Sequence, residues 1–182
     1  MALAATMSPA EFLAREREAE TRHELLKGTV MEMPGGSANH STIKINMVSI
    51  FRNQARPKGF SVFNSDLRVR IPDDGYVYPD ASLSRNPAFE DAQTDVLLNP
   101  FLVVEVLSPS TERHDRKAKF DAYSLIPTLE EYVLVSSDER RVEVFRRWDE
   151  LWLYTAYRES ESVPLTDGQI RFDFDELYEG VL

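Results

Sequence analysis

The spacing of apolar residues along the chain predicts three main helices. Ser8, with Glu11 three positions later, forms a helix-capping box, so a short polar helix is predicted over about 8–20. Apolar residues recur every three to four positions over about 39–56, which predicts an amphipathic helix that ends at a Pro-Lys-Gly segment. A third helix is predicted over about 112–125, between a Ser-Pro-Ser-Thr segment and the next proline.

Short runs of alternating or continuous apolar residues predict strands between these helices. The strands are predicted near 29–33, 60–64, 67–71, 76–83, 101–107, 131–135, 142–148, 151–157 and 170–174. Residues 84–100 show no period and are expected to be irregular. The mixed order of strands and helices predicts an α/β (mixed α+β) fold, in which helices flank a mixed central β-sheet. A tight Asp149-Glu150 turn between two of the strands predicts a C-terminal β-hairpin.

The length and composition of the chain predict one soluble domain. At 182 residues the chain has the length of a single domain, and we expect residues 1–182 to form one, with 1–7 as a loose tail. No stretch approaches about 18 apolar residues, so no membrane span is expected, and the start lacks the basic leader of a signal peptide. The absence of cysteine excludes disulfides and thiolate zinc sites, and it fits a cytoplasmic location.

The charge of the chain is acidic overall but unevenly distributed. The net charge of −10 argues against nucleic-acid binding through bulk electrostatics. Residues 51–70 nevertheless contain five Lys or Arg residues and one Asp, a local charge of +4, whereas 159–182 contain seven acids and one Arg, a local charge of −6. A nucleic acid could therefore meet a locally basic face, although a run of charges is most often a solvated surface.

Two carboxylates in strand-like segments carry the clearest chemical signal. Asp80 follows a proline, and Glu105 interrupts the apolar run 101–107, which otherwise predicts a central strand buried on both faces. Burying a carboxylate is costly unless it is paired or binds a metal, and two adjacent carboxylates repel unless a cation lies between them. Lys119 on the third predicted helix would complete a site for a divalent cation and a water. Lys117 is the alternative lysine, about 200° away around the helix.

Asp80, Glu105 and Lys119, together with the string Glu-Val-Leu-Ser-Pro-Ser-Thr over 105–111, closely resemble the Uma-two family of restriction-type endonucleases. This family belongs to the PD-(D/E)XK nuclease superfamily, and the resemblance covers nearly the whole chain. It implies a restriction-endonuclease-like core. One position departs from the superfamily pattern, because Leu107 stands where the lysine is expected and Lys119 on the next helix matches instead.

The resemblance implies Mg²⁺ as the cofactor, with Mn²⁺ able to substitute. The implied ligands are the side chains of Asp80 and Glu105 and the backbone carbonyl of Val106, and Lys119 would assist the attacking water. Glu24 matches the acidic position near the start of the superfamily core. It would join the catalytic set by binding a metal directly or through water, or else it is an ordinary helix-face acid.

The resemblance also implies contacts with the substrate from His40, Ser108 and Asp115. From their chemistry alone, each of the three also has a structural interpretation. His40 would be a capping or packing histidine, Ser108 a turn residue, and Asp115 a helical i,i+4 partner of Lys119. Tyr123 also fits the family pattern and is interpreted as an aromatic that packs the helix.

These residues predict a metal-dependent endonuclease that acts on DNA. A two-fold homodimer would place two such sites against the two strands. One alternative is a catalytically degenerate nucleic-acid-binding or interaction module on the same fold, which the acidic charge and Leu107 favour. A third interpretation is a scaffold whose buried Glu105–Lys119 pair is purely structural.

Overall fold

The computed structural model describes residues 7–33, 35–73, 75–108, 115–159 and 161–182. The helices are α1 (Pro9–Glu16), α2 (Ala38–Gln54), α3 (Phe120–Tyr123) and α4 (Phe174–Leu177), with a 3₁₀ turn at Arg56–Lys58 and a π-helical turn at Asp115–Lys119. The strands are β1 (His23–Leu26), β2 (Thr29–Glu32), β3 (Phe60–Asn64), β4 (Arg68–Ile71), β5 (Gly75–Val77), β6 (Ala81–Arg85), β7 (Val96–Leu97), β8 (Leu102–Leu107), β9 (Glu131–Ser136), β10 (Arg141–Trp148), β11 (Leu151–Arg158), β12 (Ser162–Leu165) and β13 (Ile170–Asp173).

The strands form two main sheets rather than the one central sheet that the sequence predicts. A five-stranded sheet has the order β2-β1-β5-β4-β7, a six-stranded sheet has the order β11-β10-β9-β8-β6-β3, and β12 pairs with β13. Both main sheets are mixed, because β4–β7 and β8–β9 are parallel pairs and the other described pairs are antiparallel. The prediction of a mixed α/β fold with flanking helices is confirmed.

The cores show how the layers stack. Phe12 and Leu13 of α1 pack with Leu25, Tyr76 and Val96 on one face of the five-stranded sheet. The other face of that sheet meets the six-stranded sheet and α3 through a second core. The third and largest core lies between the far face of the six-stranded sheet and α2, β12, β13 and α4. Strand β8 is buried along its whole length between these two cores, as its apolar sequence predicts.

Several predicted elements are confirmed at their predicted places. Ser8 caps α1, and its side chain and that of Glu11 make the reciprocal bonds of a capping box. The helix is shorter than the predicted 8–20, because the residues after Glu16 offer no further apolar face. The C-terminal hairpin is the β10–β11 pair, in antiparallel register from Arg141↔Arg158 to Trp148↔Leu151.

The strand predictions are corrected at four places. The segment His23–Leu26, for which no strand is predicted, is strand β1 and forms a hairpin with β2. The predicted strand 76–83 is two strands, β5 and β6, which belong to different sheets. Pro79 lies in the connection between them, because proline cannot donate to a sheet ladder. The irregular stretch 84–100 contains the short strand β7, and the C-terminal segment gains β12.

Two predictions fall partly outside the described residues. Residues 1–6 of the expected tail are not described, and Met7 donates its backbone N–H to the carbonyl of Gly28 at 3.3 Å. Residues 109–114, which include the first three of the third predicted helix, lie outside the described residues, and that helix continues as a π-helical turn followed by α3. No described helix combines the length and the apolar character needed to cross a membrane.

Candidate active site

Five of the polar residues singled out by the sequence meet in a cleft of about 620 Å³, namely Glu24, His40, Asp80, Glu105 and Lys119. Elements of both main sheets contribute to it: β1 from the five-stranded sheet, β8 from the six-stranded sheet, and the β5–β6 connection between them. The N-terminal half of α2 and the π-helical turn close the other sides. The lining residues that carry charge or an imidazole are Arg22, Glu24, Glu32, His40, Lys44, Asp80, Glu105 and Lys119.

Lys119 bridges two carboxylates that come from different sheets. Its Nζ lies 3.0 Å from Oε1 of Glu24 on β1 and 3.1 Å from Oε1 of Glu105 on β8. All three side chains are at most 7% exposed. Alternation along each strand explains the convergence, because Glu24 shares a strand face with Leu26, and Glu105 shares one with Val103, in the core between the sheets.

A tyrosine holds Glu105 from a second direction. The hydroxyl of Tyr123 on α3 donates to Oε1 of Glu105 at 2.7 Å. Burial, with the nearby charges of Glu105 and Glu24 adding to it, raises the pKa of Tyr123 well above its ordinary value, so the hydroxyl remains a proton donor. The sequence interpretation of Tyr123 as a packing aromatic is incomplete, because its ring packs against Tyr132 while its hydroxyl fixes the carboxylate.

Asp80 sits at the junction of the two sheets and is surrounded by donors. Its Oδ2 accepts from the backbone N–H of Val106 at 2.7 Å and lies 3.3 Å from Nε2 of His40, and its Oδ1 lies 3.1 Å from Nζ of Lys44. Burial by itself would raise the pKa of Asp80. The hydrogen bond from His40 and the charges of His40 and Lys44 outweigh that effect, so the pKa of Asp80 lies below its ordinary value and the group is ionised.

Lys44 is a member of the site that the sequence analysis did not identify. It lies on α2 one turn after His40, so both side chains share the helix face that meets Asp80. Its Nζ also donates to Oγ of Ser65 at 3.0 Å, which fixes the ammonium at the cleft wall. The available signal was the i,i+4 spacing of His40 and Lys44 on a helix that carries no acidic residue.

The other predicted substrate contacts are placed differently. His40 lines the cleft, and its backbone N–H donates to Oγ of Ser37, the residue that caps α2. Ser108 follows β8 and is half-buried, but it is not among the described residues that line the cleft. Asp115 begins the π-helical turn, and its side chain lies outside the described part of the chain. Lys117 is exposed, so of the two alternative lysines Lys119 is the one in the cleft.

The comparison with protein families matches residues 9–172 to the Uma2 (Uma-two) model, described as "Putative restriction endonuclease". The chain belongs to the Uma2 family. It is 36% identical to the uncharacterised protein slr1290 of Synechocystis over 177 residues, which is 96% of this chain and 93% of that protein. It is 34% identical to sll1609 of the same organism over 152 residues, or 82% of this chain and 86% of that protein.

The fold is similar to that of a solved member of the nuclease-like proteins. The crystal structure of "a putative nuclease belonging to DUF820" from Anabaena variabilis superposes on this Uma2 chain with a TM-score of 0.79. The match covers 97% of this chain and 99% of that one at 21% sequence identity, so it speaks for the fold alone. Together, the Uma2 family and the fold point to a nuclease of the restriction-endonuclease-like type.

The donor groups in the Uma2 cleft suit a hard divalent cation. Mg²⁺ needs only one or two carboxylates, with waters and substrate phosphate filling its other positions. Among the described residues, no three histidine or acidic side chains form a ready-made metal cage, so a bound cation would take several of its ligands from water and substrate. The backbone N–H and C=O of one strand residue point toward the same edge of the strand. Because the N–H of Val106 donates to Asp80, the carbonyl of Val106 also points toward the Asp80 side of β8.

The net charge of the cleft is also compatible with a bound cation. Asp80, Glu24 and Glu105 contribute three negative charges and Lys44 and Lys119 two positive ones, a balance of −1 when His40 is neutral. Arg22 and Glu32 on the same cleft add one charge of each sign. A dication would bring the balance to +1, which a phosphodiester monoanion would then neutralise.

Proposed function

We propose that this Uma2 chain is a metal-dependent endonuclease that hydrolyses phosphodiester bonds of DNA in the cleft at Asp80 and Glu105. The observation that carries the proposal is the convergence of Asp80, Glu24, Glu105 and Lys119 from four separate chain segments into one cleft. The membership of the chain in a restriction-endonuclease family and its nuclease-like fold support the same class of reaction.

Asp80, Glu105 and the carbonyl of Val106 would hold Mg²⁺, or Mn²⁺ in its place. When bound, the cation neutralises charge on the phosphate and makes water a stronger nucleophile. Asp80 suits this role because its carboxylate is ionised and is oriented by the Val106 N–H. Tyr123 orients Glu105 in the same way, by a hydrogen bond to one of its two oxygens.

Lys119 supplies a fixed positive charge at the floor of the cleft. Its two carboxylate partners keep the ammonium in one place, so it can stabilise negative charge that develops on the phosphate without reorganising. Glu24 shares Lys119 with Glu105 and accepts the backbone N–H of Tyr78 at 3.0 Å, which ties it to the Asp80 segment. His40, beside Asp80 on the cleft wall, is placed to contact a substrate phosphate.

A second candidate function is supported by the same ion pairs. The contacts of the Lys119 ammonium with Glu24 and Glu105 would be the same if these ion pairs served only the stability of the fold. In addition, Leu107 occupies the position where the superfamily has a lysine. A chain with such a site would bind nucleic acid or a protein partner without cleaving it. Cleavage and metal binding separate the two functions.

The test is cleavage of supercoiled plasmid and of single-stranded DNA with Mg²⁺ or Mn²⁺, comparing the wild type with Asp80→Ala and Glu105→Ala. We expect metal-dependent cutting that both substitutions reduce by at least about a hundredfold, since each removes a ligand. Glu150→Ala in the hairpin turn is the matched control and should cut like the wild type. Circular dichroism and Mn²⁺ titration on the same samples show whether a silent variant is folded and whether it still binds metal.

The exposed apolar residues of the β10–β11 hairpin support a homodimer. Trp148, Leu151, Leu153 and Tyr154 are between 50% and 67% exposed. Strand β11 is also an edge of the six-stranded sheet, where an antiparallel copy of itself would continue the ladder. We therefore propose that two copies of the chain associate through this hairpin and present two clefts to duplex DNA.

A further inference from the structure

One segment of this acidic protein carries no acidic residue at all. The chain has 31 Asp and Glu residues among 182, yet the 33 residues from Met33 to Ser65 contain none. The same segment contains four Lys or Arg residues and His40. A basic surface on a protein of opposite net charge is the footprint expected for a polyanion, because the rest of the surface repels it.

The acid-free segment forms both walls of a groove that continues the cleft. A depression of about 550 Å³ lies between the C-terminal half of α2 and strand β3, and it is lined by Val48, Arg52, Arg56 and residues 60–64. Lys44 in the cleft and Val48 in this α2–β3 groove are one helical turn apart. Ser65 in the cleft and Asn64 in the groove are chain neighbours, so the two depressions adjoin at both walls.

Arg52 and Arg56 stand in this groove without ionic partners. Both are exposed, and neither has an ion pair or a side-chain hydrogen bond within the described part of the chain. Other arginines of the chain are neutralised by carboxylates, as Arg17 is by Asp91 and Asp95, and Arg116 is by Glu143. The groove therefore keeps two guanidinium groups available for an external anion.

The spacing of these charges suits a sugar-phosphate backbone. Lys44 and Arg52 are eight residues apart on α2, which corresponds to about 12 Å along the helix axis. Phosphates of one DNA strand follow one another at about 3.4 Å along the duplex axis, so about 12 Å spans three to four nucleotides. Strand β3 is an edge of the six-stranded sheet and pairs only with β6 among the described strands, and its residues line the groove.

We propose that the α2–β3 groove binds the phosphate backbone of the DNA strand as it leaves the cleft, with Arg52 and Arg56 as the phosphate contacts. The proposal rests on the proposed nuclease function, because it assigns a second contact region to the same substrate. These contacts position the strand and carry no base specificity, as is general for phosphate contacts.

The test is fluorescence anisotropy with a 5′-fluorescein 20-base DNA, single-stranded and duplex, measured with EDTA and again with Ca²⁺. The variant is Arg52→Ala combined with Arg56→Ala. The matched control is Arg15→Ala combined with Lys27→Ala, which removes the same charge from two exposed basic residues outside the groove and outside the β10–β11 hairpin. We expect the groove variant to bind at least about tenfold more weakly at 0.1 M salt, and the slope of log K against log salt to fall by about 1.8 for the duplex and about 1.4 for the single strand.

The outcomes separate this proposal from the nuclease proposal. Equal weakening by the groove and control variants, or no binding by the wild type, overturns the groove assignment. Wild-type binding that only the groove variant weakens supports it, whether or not the protein cuts plasmid with Mg²⁺ or Mn²⁺. Cutting by the wild type combined with unchanged binding by the groove variant overturns the groove and leaves the nuclease proposal standing.

Discussion

Lys119 is the residue on which the charge balance of the cleft depends. It is buried between Glu24 and Glu105, and these two carboxylates come from the two different main sheets. The positive charge of this lysine lies against both carboxylates and offsets the repulsion between them. Its contribution to stability can be measured separately from the role in cleavage that we propose for it.

Replacement of Lys119 by methionine should destabilise the protein by about 3–5 kcal/mol, because it leaves two buried carboxylates without their shared cation. Urea unfolding at pH 7 measures the free energy of unfolding. Lys117→Met is the matched control, since Lys117 is exposed two residues away, and we expect it to change the free energy of unfolding by less than about 0.5 kcal/mol. Equal losses in the two variants would contradict the ion-pair interpretation.

The sequence identified the acidic residues of the cleft more completely than its cations. Asp80 and Glu105 stand out because carboxylates are rare in strand-like segments, and a family string follows Glu105. Lys44 has no such contrast, since a lysine on an amphipathic helix is ordinary, and only the fold brings it to Asp80. The hydroxyl of Tyr123 was missed for a related reason, because an aromatic ring on a helix is explained by packing alone.

At the scale of elements, a carboxylate clamp ties α1 to the five-stranded sheet. Asp95, just before β7, accepts hydrogen bonds from Nε and Nη2 of Arg17 at 2.9 and 2.8 Å and from Nη1 of Arg68 at 2.6 Å. Arg17 follows α1, and Arg68 lies on β4. The pKa of Asp95 is lowered to about 2, mainly by the hydrogen bonds from Arg17. The contact with Arg68 contributes to this lowering of the pKa, whereas burial opposes both effects.

Asp95→Asn should reduce the free energy of unfolding by about 1 kcal/mol at pH 7. The pKa shift alone corresponds to about 2.5 kcal/mol, and solvent screening at this partly exposed group lowers the figure. Because the pKa is depressed on folding, the contribution is complete above about pH 4 and disappears as the pH falls toward about 2. Urea unfolding at pH 7 and pH 3 checks this.

The difference between the wild type and Asp95→Asn should therefore shrink at the lower pH. The control is Asp149→Asn in the exposed hairpin turn, which should behave like the wild type at both values. A difference that stays constant or grows as the pH falls would refute the clamp as the cause.

The elements that the sequence missed share a physical reason. Strand β1 contains Glu24, a polar residue whose side chain faces the buried cleft rather than solvent. Its sequence therefore lacks the alternation of polar and apolar residues by which a half-buried strand is recognised. Strands β5 and β6 were joined because Pro79 sits between two apolar runs, and the sequence alone does not say that the runs enter different sheets. Strand β7 has two residues, which is too short for any period to appear.

At the scale of the whole molecule, the proposed dimer has a direct test. Light scattering after size exclusion should give about twice the chain mass of 20.9 kDa for the wild type. Leu151→Lys in the hairpin should give a monomer, because a charge at an apolar contact opposes association. Ile45→Lys is the matched control, since Ile45 on α2 has the same exposure of 65%, and it should leave the dimer intact.

A monomeric wild type, or dissociation by both substitutions, would count against the hairpin as the contact. The dimer proposal and the α2–β3 groove concern different faces of the chain. The hairpin can therefore fail as a contact without affecting the groove.

Because Lys119 bridges Glu24 on one sheet and Glu105 on the other, the accessibility of its amine depends on whether the two sheets are packed together. An amine held between two buried carboxylates is shielded from acylating reagents, whereas the amine of Lys117 is open to them. Any excursion that separates the sheets must pull the two carboxylates apart and free the amine. The rate at which a reagent labels Lys119 would therefore report the rate at which the interface between the sheets opens, and a chain whose sheets have separated would lack the assembled cleft.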